Sequence, residues 1–170
     1  MYRKIYIIGA PGSGKTYIAR LLSLSLNVQA HELDHLYWDP DVSHYGIPTD
    51  TVRRTNMLNA ILSEQAWLME GIYHDWTTPC FEQAEVILVL KTNVWRRDWR
   101  LIKRYFQHRR KSYKGKRETF MDLIRLLLWN HRYEKNEWPL VQKAIGVYEE
   151  KVRIFEGSGA AMTAVIRPEV

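Results

Sequence analysis

Residues 9–16 read Gly-Ala-Pro-Gly-Ser-Gly-Lys-Thr, with Gly9, Gly14, Lys15 and Thr16 at the four specified places of G-x-x-x-x-G-K-[ST]. Glycines at this spacing let successive backbone N–H groups curl around an anion. Gly9, Ala10, Pro11, Gly12, Ser13 and Gly14 are therefore candidate phosphate-cradle residues. A lysine directly after them suits the β- and γ-phosphates of a nucleoside triphosphate, and the Thr16 hydroxyl suits Mg²⁺. Before the loop, Lys4-Ile5-Tyr6-Ile7-Ile8 reads as a buried strand. After it, Tyr17 to Leu26 carries Ile18, Leu21, Leu22 and Ser25 at helical spacing. A strand, a glycine loop and a helix in that order also bring the partial positive charge of a helix N-terminus to the anion.

Phosphoryl transfer needs positioning and charge neutralisation more than covalent chemistry. Besides the cradle it needs a metal ligand, an acceptor held in line, and cations over the transferred group. Asp34 follows a predicted strand over Asn27 to Leu33 and could orient an acceptor hydroxyl or take its proton. Glu70 follows a third apolar run, Ala66-Trp67-Leu68-Met69, and could hold Mg²⁺ directly or through water. The cations are concentrated. Residues 96–135 hold 14 Lys/Arg against 4 Asp/Glu, whereas the rest of the chain holds 11 against 15. Such a block points to a polyanion, either nucleotide phosphates or a nucleic-acid backbone, and composition does not choose between them.

The elements that must position these groups alternate. Val86-Ile87-Leu88-Val89-Leu90 is a continuous apolar run typical of a parallel sheet covered on both faces, and Val152 to Phe155 reads as a last strand. Tyr37 to Pro48, with Pro40, Gly46 and Pro48, reads as a loop. Thr49 or Asp50 can cap a helix to about Ser63, with Val52, Met57, Leu58, Ile61 and Leu62 inward. Asn93 can cap a long helix with Trp95, Trp99, Ile102 and Phe106, joined by Leu101 and Tyr105, on its apolar side. Arg96, Arg97, Arg100, Lys103 and Arg104 fall on the other side. Asp98 sits inside the apolar arc without an evident partner. Residues 107–117 lack apolar periodicity and read as exposed. Glu118 to His131 returns to helix, and Pro139 starts another through about Tyr148. Strands alternating with helices predict a parallel sheet layered by helices, with Asp34, Glu70 and the Gly9–Thr16 loop meeting at the carboxyl ends of the strands.

A chain of 170 residues can bury a substantial core. No apolar run reaches membrane-spanning length, Leu123 to Trp129 being broken by Arg125, and the apolar stretch near the N-terminus is too short for a secretory signal. A lone cysteine, Cys80, agrees with a reducing cytoplasm. His31, His35 and His44 lie on a predicted strand end and loop rather than one helical face, so no dedicated metal site is expected from them. The seven tryptophans, Trp95 and Trp99 among them, read as core rather than base-stacking platforms.

With these residues in hand, the chain resembles the small P-loop kinases related to adenylate kinase, and more closely the bacterial group known as topology modulation proteins. Beyond the phosphate loop, the resemblance rests on Leu33-Asp34-His35-Leu36-Tyr37-Trp38-Asp39-Pro40 and on Trp67-Leu68-Met69-Glu70-Gly71-Ile72-Tyr73. It implies a three-layer P-loop fold with a five-stranded parallel sheet, a single domain over 1–170, and a short basic helical lid near 104–120. It also implies ATP and Mg²⁺ as cofactors. Arg100 and Arg104 match a pair of arginines four apart that serve the adenine and a phosphate, so Arg104 joins Lys15 and Asp34 as a catalytic candidate. Arg125 and Arg132 are weaker matches to arginines beyond the lid, and Gly157-Ser158-Gly159 resembles the loop near the adenine. Two departures stand out. Glu70 replaces the usual Asp of an Asp-Gly turn, and Ile72-Tyr73-His74 lacks the arginine that holds a monophosphate substrate, so AMP is not the expected acceptor. Arg53 or Arg54 could serve an anionic acceptor instead. The expectation is ATP-dependent phosphoryl transfer to a small-molecule acceptor. The alternatives are a nucleic-acid-binding, DNA-topology-modulating nucleotide switch acting through the 96–135 block, or an NTPase without a dedicated acceptor.

Overall fold

The computed structural model describes residues 2–39, 47–110 and 119–156, leaving out the side chains of 108–110. Five strands form one parallel sheet: β1 (Lys4–Ile8), β2 (Ala30–Glu32), β3 (Trp67–Gly71), β4 (Val86–Lys91) and β5 (Val152–Glu156), in the order β2-β3-β1-β4-β5. The central strand β1 pairs with β3 on one side, Ile7 opposite Glu70, and with β4 on the other, Ile7 opposite Leu88. Side chains alternate across the pleat. Ile5, Ile7, Leu68, Leu88 and Leu90 point to the layer of α1 (Lys15–Leu26), where Ile18, Ala19 and Leu22 cover them. Tyr6, Ile8, Met69, Ile87 and Val89 point the other way, under α3 (Thr51–Leu62), α4 (Thr78–Gln83) and α7 (Trp138–Ile145). A parallel sheet covered on both faces explains why β4 has no polar alternation.

Several boundaries differ from the sequence reading. The second strand is three residues long, not seven. Asn27 (φ 52°) ends α1 in the left-handed conformation, and its N–H bonds Ser23 O, so the chain is still leaving the helix where a strand was expected. The segment from Tyr37 read as loop is preceded by one helical turn, α2 (Asp34–Tyr37). Its far end is pinched by a Trp38–Pro48 bridge and by Thr49 N–H bonding Tyr37 O at 2.7 Å. Asp50 caps α3 as expected, accepting from Val52 and Arg53 N–H at 2.9 and 3.1 Å, but Val52 faces solvent. Helix α4 had no periodicity long enough to reveal it. Pro139 does sit in the first turn of α7, which is followed by a 3₁₀ turn over Gly146–Lys151 into β5.

Helices α5 (Val94–Arg110) and α6 (Phe120–Asn136) pack on each other, and their shared apolar core is small: Leu101, Tyr105 and Leu123. Asn93 caps α5 as expected, accepting from Trp95 N–H at 3.0 Å, and a Thr119–Asp122 capping box opens α6. The expected face of α5 is rotated. Trp95, Trp99 and Phe106 are 71, 67 and 56% exposed, whereas Arg97 and Asp98 are buried. Arg97 donates to Glu134 Oε1 at 2.7 Å and to Asn130 O at 3.2 Å, with its guanidinium over the Tyr133 ring. Asp98 accepts from Asn130 Nδ2 at 2.7 Å and lies 2.6 Å from His131 Nε2. Buried charge survives when it is paired, and this pairing accounts for Asp98. Of the tryptophans read as core, Trp67 is fully buried, and Trp95 and Trp99 are not.

Candidate active site

The sheet order reverses direction at β1, and a parallel sheet of this kind opens its crevice at the carboxyl ends of the strands. The Gly9–Gly14 loop leaves β1 at this point and runs directly into α1, whose first residue is Lys15. At two of its glycines neighbouring backbone leaves no room for a Cβ. A Cβ on Gly12 (φ +74°) would lie 2.7 Å from Arg97 O, and one on Gly9 would lie 2.6 Å from Leu90 O. Backbone meets backbone at both places, so the loop rests against the first turn of α5 and the end of β4. Ser13 is fully buried, and its hydroxyl has no hydrogen-bond partner among the described residues.

Lys15 is buried, and its ammonium folds back to donate to Ala10 O at 3.1 Å. Burial pushes its pKa below the ordinary lysine value. Glu70 and Asp34 pull it back up, and Arg104 and Arg97 push it further down. Glu70, Asp34, Arg104 and Arg97 thus all act electrostatically on the Lys15 ammonium. Glu70 is buried within β3 rather than placed after it, opposite Ile7 of β1 and Glu32 of β2. Its carboxylate accepts a hydrogen bond from the Thr16 hydroxyl. Burial raises the Glu70 pKa, while Lys15 and the Thr16 bond lower it.

Asp34 is exposed at the start of α2 rather than free in a loop, and Tyr73 Oη donates to its Oδ1 at 2.8 Å. Leu33 N–H bonds Glu70 O at 2.9 Å, so the turn that carries Asp34 is anchored to the strand that carries Glu70. Tyr73 also stacks on Tyr37, with ring centroids 4.7 Å apart, and Trp76 lies beside both. The Arg54 guanidinium lies over the Tyr37 and Trp76 rings at 5.2 and 4.8 Å. Arg53 instead pairs with Asp39 at 3.7 Å.

Arg100 donates to Gly12 O and Ser13 O at 2.9 and 3.0 Å, so it grips the phosphate loop itself. Thr92 Oγ1 donates to Ser13 O as well, at 3.2 Å. Arg125 pairs with Asp122 at 3.6 Å on the exposed face of α6, and Arg132 is exposed on the same helix. The basic block is thus divided: Arg97 is buried, Arg100 binds the loop, Arg104 is exposed and acts electrostatically on Lys15, and Arg96 and Lys103 face solvent. Gly157 and the lid residues 111–118 lie outside the described residues. His31 lies on β2 with Nε2 3.7 Å from Glu64, His35 is in α2, and His44 lies outside the described residues.

Sequence reasoning missed Tyr73 and Thr92. Both sit one or two residues past a strand end, a position where polar side chains reach the crevice, and that is the signal that could have found them. The residues present fit a magnesium nucleotide. A hydroxyl and a carboxylate, both hard oxygen donors, already meet at Thr16 and Glu70, and the cradle holds the unpartnered Ser13 hydroxyl beside a buried ammonium.

No family model matches the sequence, and no curated protein does. Solved structures do match. A shikimate kinase from Acinetobacter baumannii in complex with shikimate is 21% identical, with a TM-score of 0.59, covering 94% of this chain and 87% of its own. A shikimate kinase from Bacteroides thetaiotaomicron is 14% identical, with a TM-score of 0.56, covering 98% and 95%. The resemblance to P-loop kinases therefore holds for the architecture, and these two structures lend nothing to the narrower resemblance to topology modulation proteins. The chain has the three-layer α/β P-loop fold, a five-stranded parallel sheet covered by helices, that is also the fold of these shikimate kinases.

Proposed function

We propose that the chain transfers a phosphoryl group from ATP·Mg²⁺ to a hydroxyl of a small anionic acceptor. The observation that carries this reading is the convergence of the loop lysine Lys15, the Thr16–Glu70 pair and the tyrosine-held Asp34 at one crevice. Backbone N–H groups of 9–16 and Lys15 would hold the triphosphate, and Thr16 with Glu70 would hold Mg²⁺, which supplies charge neutralisation at the transferred group. Asp34, fixed by Tyr73, orients the acceptor hydroxyl and accepts its proton. Arg104 adds positive charge beside Lys15. Arg100 keeps the loop amides aimed inward by binding the carbonyls on their other side.

Arg54 supports the anionic acceptor. It is half-buried, lies over two rings, and among the described residues has no hydrogen bond or ion pair. A guanidinium presented in this way offers a fork of donors to a carboxylate or phosphate. The likeness in fold to a shikimate kinase in complex with shikimate is consistent with a small-molecule acceptor.

The test is a screen of hydroxy acids, sugar phosphates, nucleosides and nucleotides for ATP-dependent phosphorylation, with Lys15→Ala alongside. Turnover that survives Lys15→Ala would reject the reading. Asp34→Asn should cut transfer far more than ATP binding, and equal loss of both would remove Asp34 from the acceptor. Arg54→Met should raise the acceptor KM with a smaller change in kcat.

A further inference from the structure

The catalytic reading leaves a second surface unexplained. Helix α5 turns Arg100 toward the Gly9–Gly14 loop on one flank. On its other flank it presents Trp95, Trp99 and Ile102 to Ile124, Leu127 and Leu128 of α6. Between them lies an open trough of about 470 Å³, floored by the Asp98–His131 pair. Its walls are apolar, yet Trp95, Trp99 and Leu128 are more than half exposed. Apolar surface of this extent, contiguous rather than scattered, marks an interaction site.

The lips of the trough are basic. On α5, Arg96 and Lys103 stand three residues before and four after Trp99. On α6, Arg125 and Arg132 stand three before and four after Leu128. These are same-face helical neighbours, and all four are exposed. Arg125 has Asp122 as a partner. Arg96, Lys103 and Arg132 have no hydrogen bond or ion pair among the described residues.

We propose that this trough binds an amphipathic helix of a partner protein whose apolar stripe is flanked by acidic residues. Three observations select that occupant. The trough lies between two helices of 17 residues each, which is the groove an apolar helical stripe fills. Unpaired cations on both lips complement acidic flanks and set against one another the faces of two copies of this chain. A nucleic-acid strand fits less well. Base edges lowered between Ile102, Ile124 and Leu127 would lose their hydrogen bonds. The binding is independent of the phosphoryl-transfer reading, because no trough residue belongs to the phosphate loop or the acceptor side.

The probe is a synthetic amidated helical peptide of about 17 residues, the length of each trough helix. It carries leucines at i, i+3, i+4 and i+7 and glutamates on both flanks. It is titrated into the full chain while the indole N–H resonances are followed, with Trp95→Phe and Trp99→Phe assigning two of the seven. The peptide should shift those two resonances, Trp99→Ala should weaken it by about 10-fold, and Arg96→Glu with Lys103→Glu should weaken it while leaving ATP binding intact. The same peptide with lysine flanks should bind far more weakly. Equal binding of both peptides, or no shift at Trp95 and Trp99, overturns the proposal. So does tighter capture of the same face by an oligothymidylate or by vesicles of phosphatidylserine and phosphatidylcholine, or a dimer in sedimentation that Trp99→Ala abolishes.

Discussion

The sheet and the α5–α6 pair are held together by opposite means. On the sheet, five strands bury a continuous set of aliphatic residues on two faces, and among the described residues the buried charged side chain borne by a strand is Glu70, at the site. Between α5 and α6, among the described residues, Leu101, Tyr105 and Leu123 form a small buried apolar cluster with Leu126 and Leu127 packed against it, and Arg97–Glu134, Asp98–Asn130 and Asp98–His131 pair beside it. Apolar burial is non-directional and large; paired polar groups contribute little net stability but fix one register strictly. The sheet thus gives the Gly9–Gly14 loop a rigid base, and the helix pair, its register set by paired polar groups, carries Arg100 against that loop.

The comparison can be broken most severely at the cradle. Gly12→Ala adds a Cβ that meets Arg97 O and forbids the positive φ, so ATP binding by calorimetry should be lost while the sheet remains folded by circular dichroism. Next in size is Leu88→Ala, fully buried on β4, which should cost about 2–5 kcal/mol in urea denaturation. Arg97→Met, which keeps the apolar stem and removes the bonds to Glu134 and Asn130 O, should cost about 1–3 kcal/mol. Its effect should be strongly non-additive with Glu134→Gln. If Arg97→Met costs as much as Leu88→Ala, the two regions are not held by different means.

The smallest effect sharpens the picture of Lys15. Its folded pKa is lowered below the ordinary 10.5, so between those two values the unfolded chain holds a proton that the folded chain has released. Stability contributed at this site therefore rises with pH across that window and is absent below it. Lys15→Met should flatten the slope, read as the difference between the two proteins in denaturation midpoints at alkaline pH. An unchanged slope would mean that Lys15 is not desolvated in the folded chain.

The sheet was legible because its determinants are local. Unbroken apolar runs in β1, β3 and β4, and a motif whose glycines have fixed jobs, place the strands and the cradle with no knowledge of neighbours. The meeting of Asp34 and Glu70 near the loop was legible in the same way, although their settings were not: Asp34 opens a helical turn, and Glu70 lies inside its strand. The orientation of α5 was not legible. Its periodicity favours burying Trp95, Trp99 and Phe106. The helix instead buries Arg97 and Asp98, whose partners lie 32 to 37 residues away on α6. Long-range polar pairing leaves no periodic trace in a sequence. Tyr73 was similarly hidden, because its contact with Asp34 spans 39 residues.

The absence of a side chain at Gly12 has a mechanical consequence. With no Cβ there, the turn around the phosphate site lies directly on the peptide backbone that opens α5, and Arg100 ties the two together one helical turn later. A rod of 17 residues is about 25 Å long. The seat of the turn and the Arg100 bonds therefore both act within the first two turns of α5, and the rest of its length extends beyond them.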